Sequence, residues 1–114
     1  MPHLKNKTTG QIIAENVRYA DTWWERLAGF IPREHVDPDD GLWFRDCWAI
    51  HTLCMRASID VIFLDGEGRV VRTRRSVPRQ RPAIACVGAR NVVELGGGAL
   101  DGRDVLVGDR LELE

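Results

Sequence analysis

The chain has 114 residues, 44% of them hydrophobic and 29% charged, which is the make-up of one folded domain spanning 1–114 and excludes a disordered tail. Sixteen basic against seventeen acidic side chains leave a net charge of -1, so no bulk attraction to nucleic acid or to an anionic membrane is expected. No apolar run is long enough to span a bilayer, and the polar start of the chain has no secretory core behind it, so the expected location is cytoplasmic. The cysteines Cys47, Cys54 and Cys86 are odd in number, which in that compartment favours free thiols over a disulfide framework.

Residues 1–9 are polar and expected to fray. Gln11 to Tyr19 alternates well enough for a first strand. Thr22 and Glu25 stand at capping-box spacing, with Trp23, Leu27, Phe30 and Ile31 recurring behind them at helical period. Pro32 ends that short helix, because the residue before a proline avoids the α region. Residues 37–41 form an Asp/Pro/Gly turn before a short apolar strand, Leu42 to Phe44.

Ile59 to Leu64 is the strongest strand. Both its faces are apolar except at Asp60, so it is expected at the centre of a sheet and covered on both sides. Residues 65–68 signal a hairpin into a returning strand, Arg69 to Val77. Asn91 to Leu95 follows as a strand, Gly96 to Gly98 as a corner, and Arg110 to Leu113 as the last strand. About six short strands with one clear helix near the N-terminus predict an α+β domain, built on a mostly antiparallel curved sheet or a small β-barrel.

Chemistry-bearing side chains concentrate between Cys47 and Met55. Cys47, His51, Cys54 and Met55, with Cys86 as a further ligand, have the donor set of a soft-metal site, but the spacing matches no familiar zinc knuckle. Core packing is the preferred reading, and no metal or other cofactor is assigned. A nucleophilic thiol, Cys47 or Cys54 activated by His51 and oriented by Asp60 or Glu94, is the enzymatic alternative. On an extended strand Cys47 and His51 would lie roughly 13 Å apart, so direct contact requires a turn between them. Asp60, buried in an apolar strand, must be paired or hydrogen-bonded. A structural role, capping backbone N–H groups or meeting an arginine such as Arg56, is preferred over a pocket shared with His51 and Glu94. The arginines at 69, 72, 74, 75, 79 and 81 read as a solvated sheet edge rather than a phosphate clamp.

Several of these residues form a pattern that resembles the prokaryotic family called domain of unknown function 192. Arg26, Gly29, Phe30, Ile31 and Arg33 stand where family members have arginine, Gly-Leu-Met and a second arginine. Gly41 to Phe44 is similar to the family's Gly-Met-Leu-Phe block. Cys47, Ile50, His51, Thr52 and Met55, then Ile59, Asp60, Val61, Phe63, Leu64 and Asp65, match the motifs of one subgroup, and Val93, Glu94, Leu95, Gly108 and Asp109 close the resemblance. It runs from about Val17 to Leu113. Leu53 and Cys54 replace the subgroup's Phe-Gly, and Ala57 and Ser58 its Phe-Pro, so Cys54 lies outside the family pattern. The resemblance implies a compact β-rich α+β barrel with no established activity, and marks His51, Thr52, Asp60 and Glu94 for a shared site. The resulting expectation is a small non-enzymatic binding or accessory domain. Its candidate pocket holds Cys47, His51, Thr52, Asp60 and Glu94, and its partner is a small anion or an extended peptide. A thiol- or metal-dependent enzyme using Cys47 and His51 is the alternative.

Overall fold

The computed structural model describes residues 2–20, 37–50, 58–78 and 84–114. These form ten strands: β1 (Leu4–Asn6), β2 (Ile12–Ala14), β3 (Asn16–Tyr19), β4 (Asp40–Arg45), β5 (Ala49–Ile50), β6 (Ile59–Leu64), β7 (Val70–Val77), β8 (Ile84–Ala85), β9 (Asn91–Gly96) and β10 (Leu111–Leu113). The central sheet has five strands in the order β3-β4-β9-β6-β7. A three-stranded sheet runs β10-β1-β2, and β5 pairs with β8.

The apolar run 59–64 behaves as its composition demands. Every residue of β6 is buried, and the strand sits between β9 and β7. Opposed residues of an antiparallel ladder share a face, so the ladder registers sort the core. Trp43, Ile62, Leu64, Val93 and Leu95 pack on one face against Leu4, Ile13 and Leu111 of the three-stranded sheet. Leu42, Phe44, Ile59, Val61, Phe63 and Val92 pack on the other face, with Ile84, Cys86 and Ala89. The central sheet is therefore the middle layer.

The α+β expectation is corrected: the described residues contain strands and turns and no helix, so the architecture they show is all-β. The segment expected to be the N-terminal helix, 22–31, lies outside the described residues. The barrel expectation is corrected as well. β3 and β7 lie at opposite edges of the central sheet and do not pair, and without that pairing a sheet cannot close. The expectation of a frayed start fails too. β1 is the middle strand of its sheet, with Leu4 opposite Leu113 on one side and Ala14 on the other, and both Leu4 and Asn6 are fully buried.

The predicted strand Gln11–Tyr19 is broken at Glu15 into β2 and β3, which serve different layers. β2 pairs with β1, and β3 pairs in parallel with β4. Gly41 makes this approach possible. A Cβ there would stand 2.5 Å from Leu95 Cδ2 and 2.9 Å from Val17 Cγ2. The 65–68 hairpin forms as composition predicts: the Asp65 carboxylate accepts the amides of Glu67 (2.8 Å) and Arg69 (3.0 Å), and Gly68 takes φ 82°. No helix among the described residues is long and apolar enough to cross a membrane.

Candidate functional site

Asp60 lies on β6 opposite Leu95, on the face covered by the three-stranded sheet. Both its carboxylate oxygens are used. Oδ1 accepts the Ser76 amide at 2.8 Å, and Oδ2 accepts the Leu100 amide at 2.9 Å. Register slips between β6 and β7 at this point, and Ser76 adopts φ 51°. One charged residue thus ties the β7 bulge to the corner that follows β9, replacing ladder hydrogen bonds lost at the irregularity. The partner expected among arginines, Arg56, lies outside the described residues.

Glu94 stands on the opposite face. Its cross-strand neighbours are Leu42 on β4 and Val61 on β6, with Val92 two residues along its own strand. It is buried, and among the described residues no hydrogen bond or ion pair engages its carboxyl group. Burial pushes that carboxyl up to about 8, because the apolar surroundings penalise the charged form. Near neutral pH it is therefore largely a protonated acid, able to donate a hydrogen bond. Asp60 and Glu94 do not line one pocket; the sheet separates them.

Cys47 follows the end of β4. Its amide donates to Arg90 O at 2.8 Å, and its half-buried thiol donates to Ala49 O at 3.0 Å. It borders a shallow cavity of about 290 Å³ with Asp46, Trp48, Ala89 and Arg90, over which the Trp48 ring is 58% exposed. Cys47 packs against the same apolar cluster that holds Val61 and Val92, so it shares the Glu94 side of the sheet. Cys86 is buried in that cluster. His51, Thr52, Cys54 and Met55 lie outside the described residues, and among those described no three His, Cys, Asp or Glu side chains converge as metal ligands would.

Two features escaped sequence reasoning. The first is the buried pair Asn6 and Asp109: Asn6 Nδ2 donates to Asp109 Oδ2 at 2.9 Å, and the same oxygen accepts the Leu106 amide at 3.1 Å. The Gly-Asp of the family pattern is thus a brace between the two ends of the chain. The second is a cluster at the open end between the layers. Parallel pairing sets Tyr19 beside Trp43, their rings 5.8 Å apart and edge-to-face, and Arg45 lies 4.0 Å over the Tyr19 ring. Trp43 Nε1 donates to Asn91 Oδ1 at 3.2 Å, and Asn91 Nδ2 donates to Asp65 O at 2.9 Å. No local signal could have joined residues from four separate segments.

The family model DUF192, an uncharacterized ACR, matches residues 4–113. The chain belongs to that family. A UPF0127 protein of Thermococcus sibiricus is 32% identical over 97% of this chain and 74% of its own length. A UPF0127 protein of Pyrococcus furiosus is 36% identical over 96% of each. Among solved structures, a Sinorhizobium meliloti protein provisionally named a transcription regulator has a TM-score of 0.81 at 22% identity, covering 98% of this chain and 91% of its own. A protein of unknown function from Novosphingobium aromaticivorans has a TM-score of 0.80 at 18% identity, covering 97% and 82%. At those identities the DUF192 chain shares their fold.

Proposed function

We propose that this DUF192 chain is a small non-enzymatic binding module whose site lies on the Glu94 side of the central sheet, near Cys47. His51 and Thr52, which follow β5 directly in sequence, belong to it by motif. Asp60 serves it from the other face as a brace. The observation that carries this reading is Glu94 itself, a buried carboxyl group among Leu42, Val61 and Val92 with no partner among the described residues. A carboxyl group held in apolar surroundings costs stability, and such costs are characteristic of binding sites.

Protonated at neutral pH, Glu94 offers a donor to an oxygen acceptor, which suits a small anion or the carbonyls of an extended peptide. The Cys47 thiol donates to Ala49 O, which anchors that side chain beside the site. The test is native against denatured mass spectrometry of untagged protein purified under reducing conditions. Proton–nitrogen correlation spectra with acetate, phosphate and an extended hexapeptide accompany it. A stoichiometric added mass or saturable shifts, lost in Glu94→Gln and His51→Ala, are expected. Equal masses with no saturable response to any of the three probes would reject the reading.

A further inference from the structure

At eight residues β7 is the longest strand of the central sheet, and it forms one edge of that sheet. The start of the edge is already used by the chain itself. Val70 accepts the Gly108 amide and donates its own to Asp109 O, both at 2.8 Å, and Arg69 bridges Arg110 antiparallel. Past Val70 this pairing stops. Beyond the ladder to β6, among the described residues no hydrogen bond or ion pair engages Val71, Arg72, Thr73, Arg74 or Arg75. An open edge of this kind offers unpaired N–H and C=O groups to another extended chain.

Charge decides which chain the edge accepts. From Gly68 to Val93 the sequence holds no acid, while Arg72, Arg74, Arg75, Arg79 and Arg81 follow one another closely. Arg72 lies opposite Phe63 and Arg74 opposite Val61, so both share one face of the sheet, and Thr73, opposite Ile62, takes the other. These three residues keep regular register between the two slips in the ladder. A second copy laid edge to edge here would set arginine against arginine, which is unfavourable. An acidic strand meets opposite charge instead. We propose that β7 takes up an extended acidic peptide as an added strand of the central sheet, along residues 71–75. The peptide main chain pairs with the open edge, and two of its carboxylates, at positions i and i+2, pair with Arg72 and Arg74. The side chain between them lies beside Thr73. β6 stands between this edge and Glu94 on β9, so the site is separate from the one proposed above and does not rest on it.

The test titrates the whole isotope-labelled chain with the end-capped hexapeptide Thr-Glu-Val-Glu-Val-Thr, its glutamine and lysine counterparts, and an oligothymidylate. A further form of the acidic peptide is N-methylated at each interior residue, which removes its main-chain donors. Saturable shifts centred on amides 71–75 are expected with the acidic peptide, together with slowed hydrogen exchange in that stretch. The glutamine peptide should bind at least about tenfold more weakly, and added salt should weaken the acidic one. N-methylation should abolish binding. Arg72→Glu with Arg74→Glu should lose the acidic peptide and gain the lysine one, its spectrum checking the fold. Arg72→Gln alone, at an exposed position, should weaken the acidic peptide severalfold. No saturable shift, equal affinity for the N-methylated peptide, or unchanged affinity in Arg72→Gln would each overturn the proposal. Shifts centred on Leu42 and Glu94 instead of 71–75, or tighter binding of the oligothymidylate at the same amides, would overturn it as well.

Discussion

The Asp60 carboxylate meets the Ser76 amide at 2.8 Å across a slip in the β6–β7 ladder, and Ser76 holds φ 51° to make the contact. A single side chain thereby stabilises a backbone conformation that serine seldom adopts. Substitutions at the two positions should therefore have opposite signs. Asp60→Asn faces one amide with a donor and removes charge from both bonds, and should lower stability by roughly 2–4 kcal/mol. Ser76→Gly keeps the amide and relieves the strain, so stability should hold or rise slightly. Urea melts with unchanged m-values check both.

Glu94 should give the fold a distinctive pH dependence. Its folded-state value is raised to about 8, against 4.5 for the unperturbed group. Between these two values the folded state keeps a proton that the unfolded chain has lost, so stability falls as pH rises. The contribution is complete below the unfolded value and is gone once pH passes the folded one. The slope should approach about 1.4 kcal/mol per pH unit in that window. Glu94→Gln should flatten the profile, as urea midpoints at pH 5, 6, 7 and 8 would show.

Gly41→Ala should be destabilising although the change is one methyl group. The added carbon would meet Leu95 Cδ2 at 2.5 Å and Val17 Cγ2 at 2.9 Å, where β3 and β9 close over β4. Overpacking of this kind costs roughly 1–3 kcal/mol. Thermal unfolding of the variant, beside Gly10→Ala as a position with open space but positive φ, separates crowding from backbone strain.

Asp109→Ala should loosen both ends of the chain together. It leaves Asn6 Nδ2 and the Leu106 amide without their shared acceptor, at a cost of about 1–3 kcal/mol. Hydrogen exchange should accelerate in β1 and β10 before it does in β6 or β9. Uniform acceleration across all four strands would show that the brace has no local role.

What the sequence revealed divides along the reach of each signal. β6, β7, β9 and the 65–68 hairpin were legible because apolar runs and turn residues specify them locally. β1 was not: Leu4-Lys5-Asn6 has one apolar side chain, and its burial comes from pairing with β10 at the far end of the chain. The break at Glu15 was hidden for a related reason, since alternation continues through it while the strand's partner changes. At the site, a lone acid in an apolar strand marked Asp60 as important, but only the slipped register of β7 says what it caps. Glu94 entered from sequence as an orienting carboxylate for His51 and again through the resemblance, and the face it occupies follows from its pairing with Leu42 and Val61.

The pairing of β1 with β10 also sets an order of events. His3 and Glu114 exchange main-chain hydrogen bonds, each amide 2.9 Å from the other's carbonyl. β10 follows every other described strand in chain order, so the layer that shields Trp43, Leu64 and Leu95 stays incomplete until β10 has been made. The middle sheet must wait with that apolar face uncovered, and loop closure across almost the whole chain precedes the final lock. The same adjacency means that a short peptide joining Glu114 to His3 would span little distance. New ends opened at the exposed Gly102 turn should then yield a circularly permuted chain that folds to the same layers.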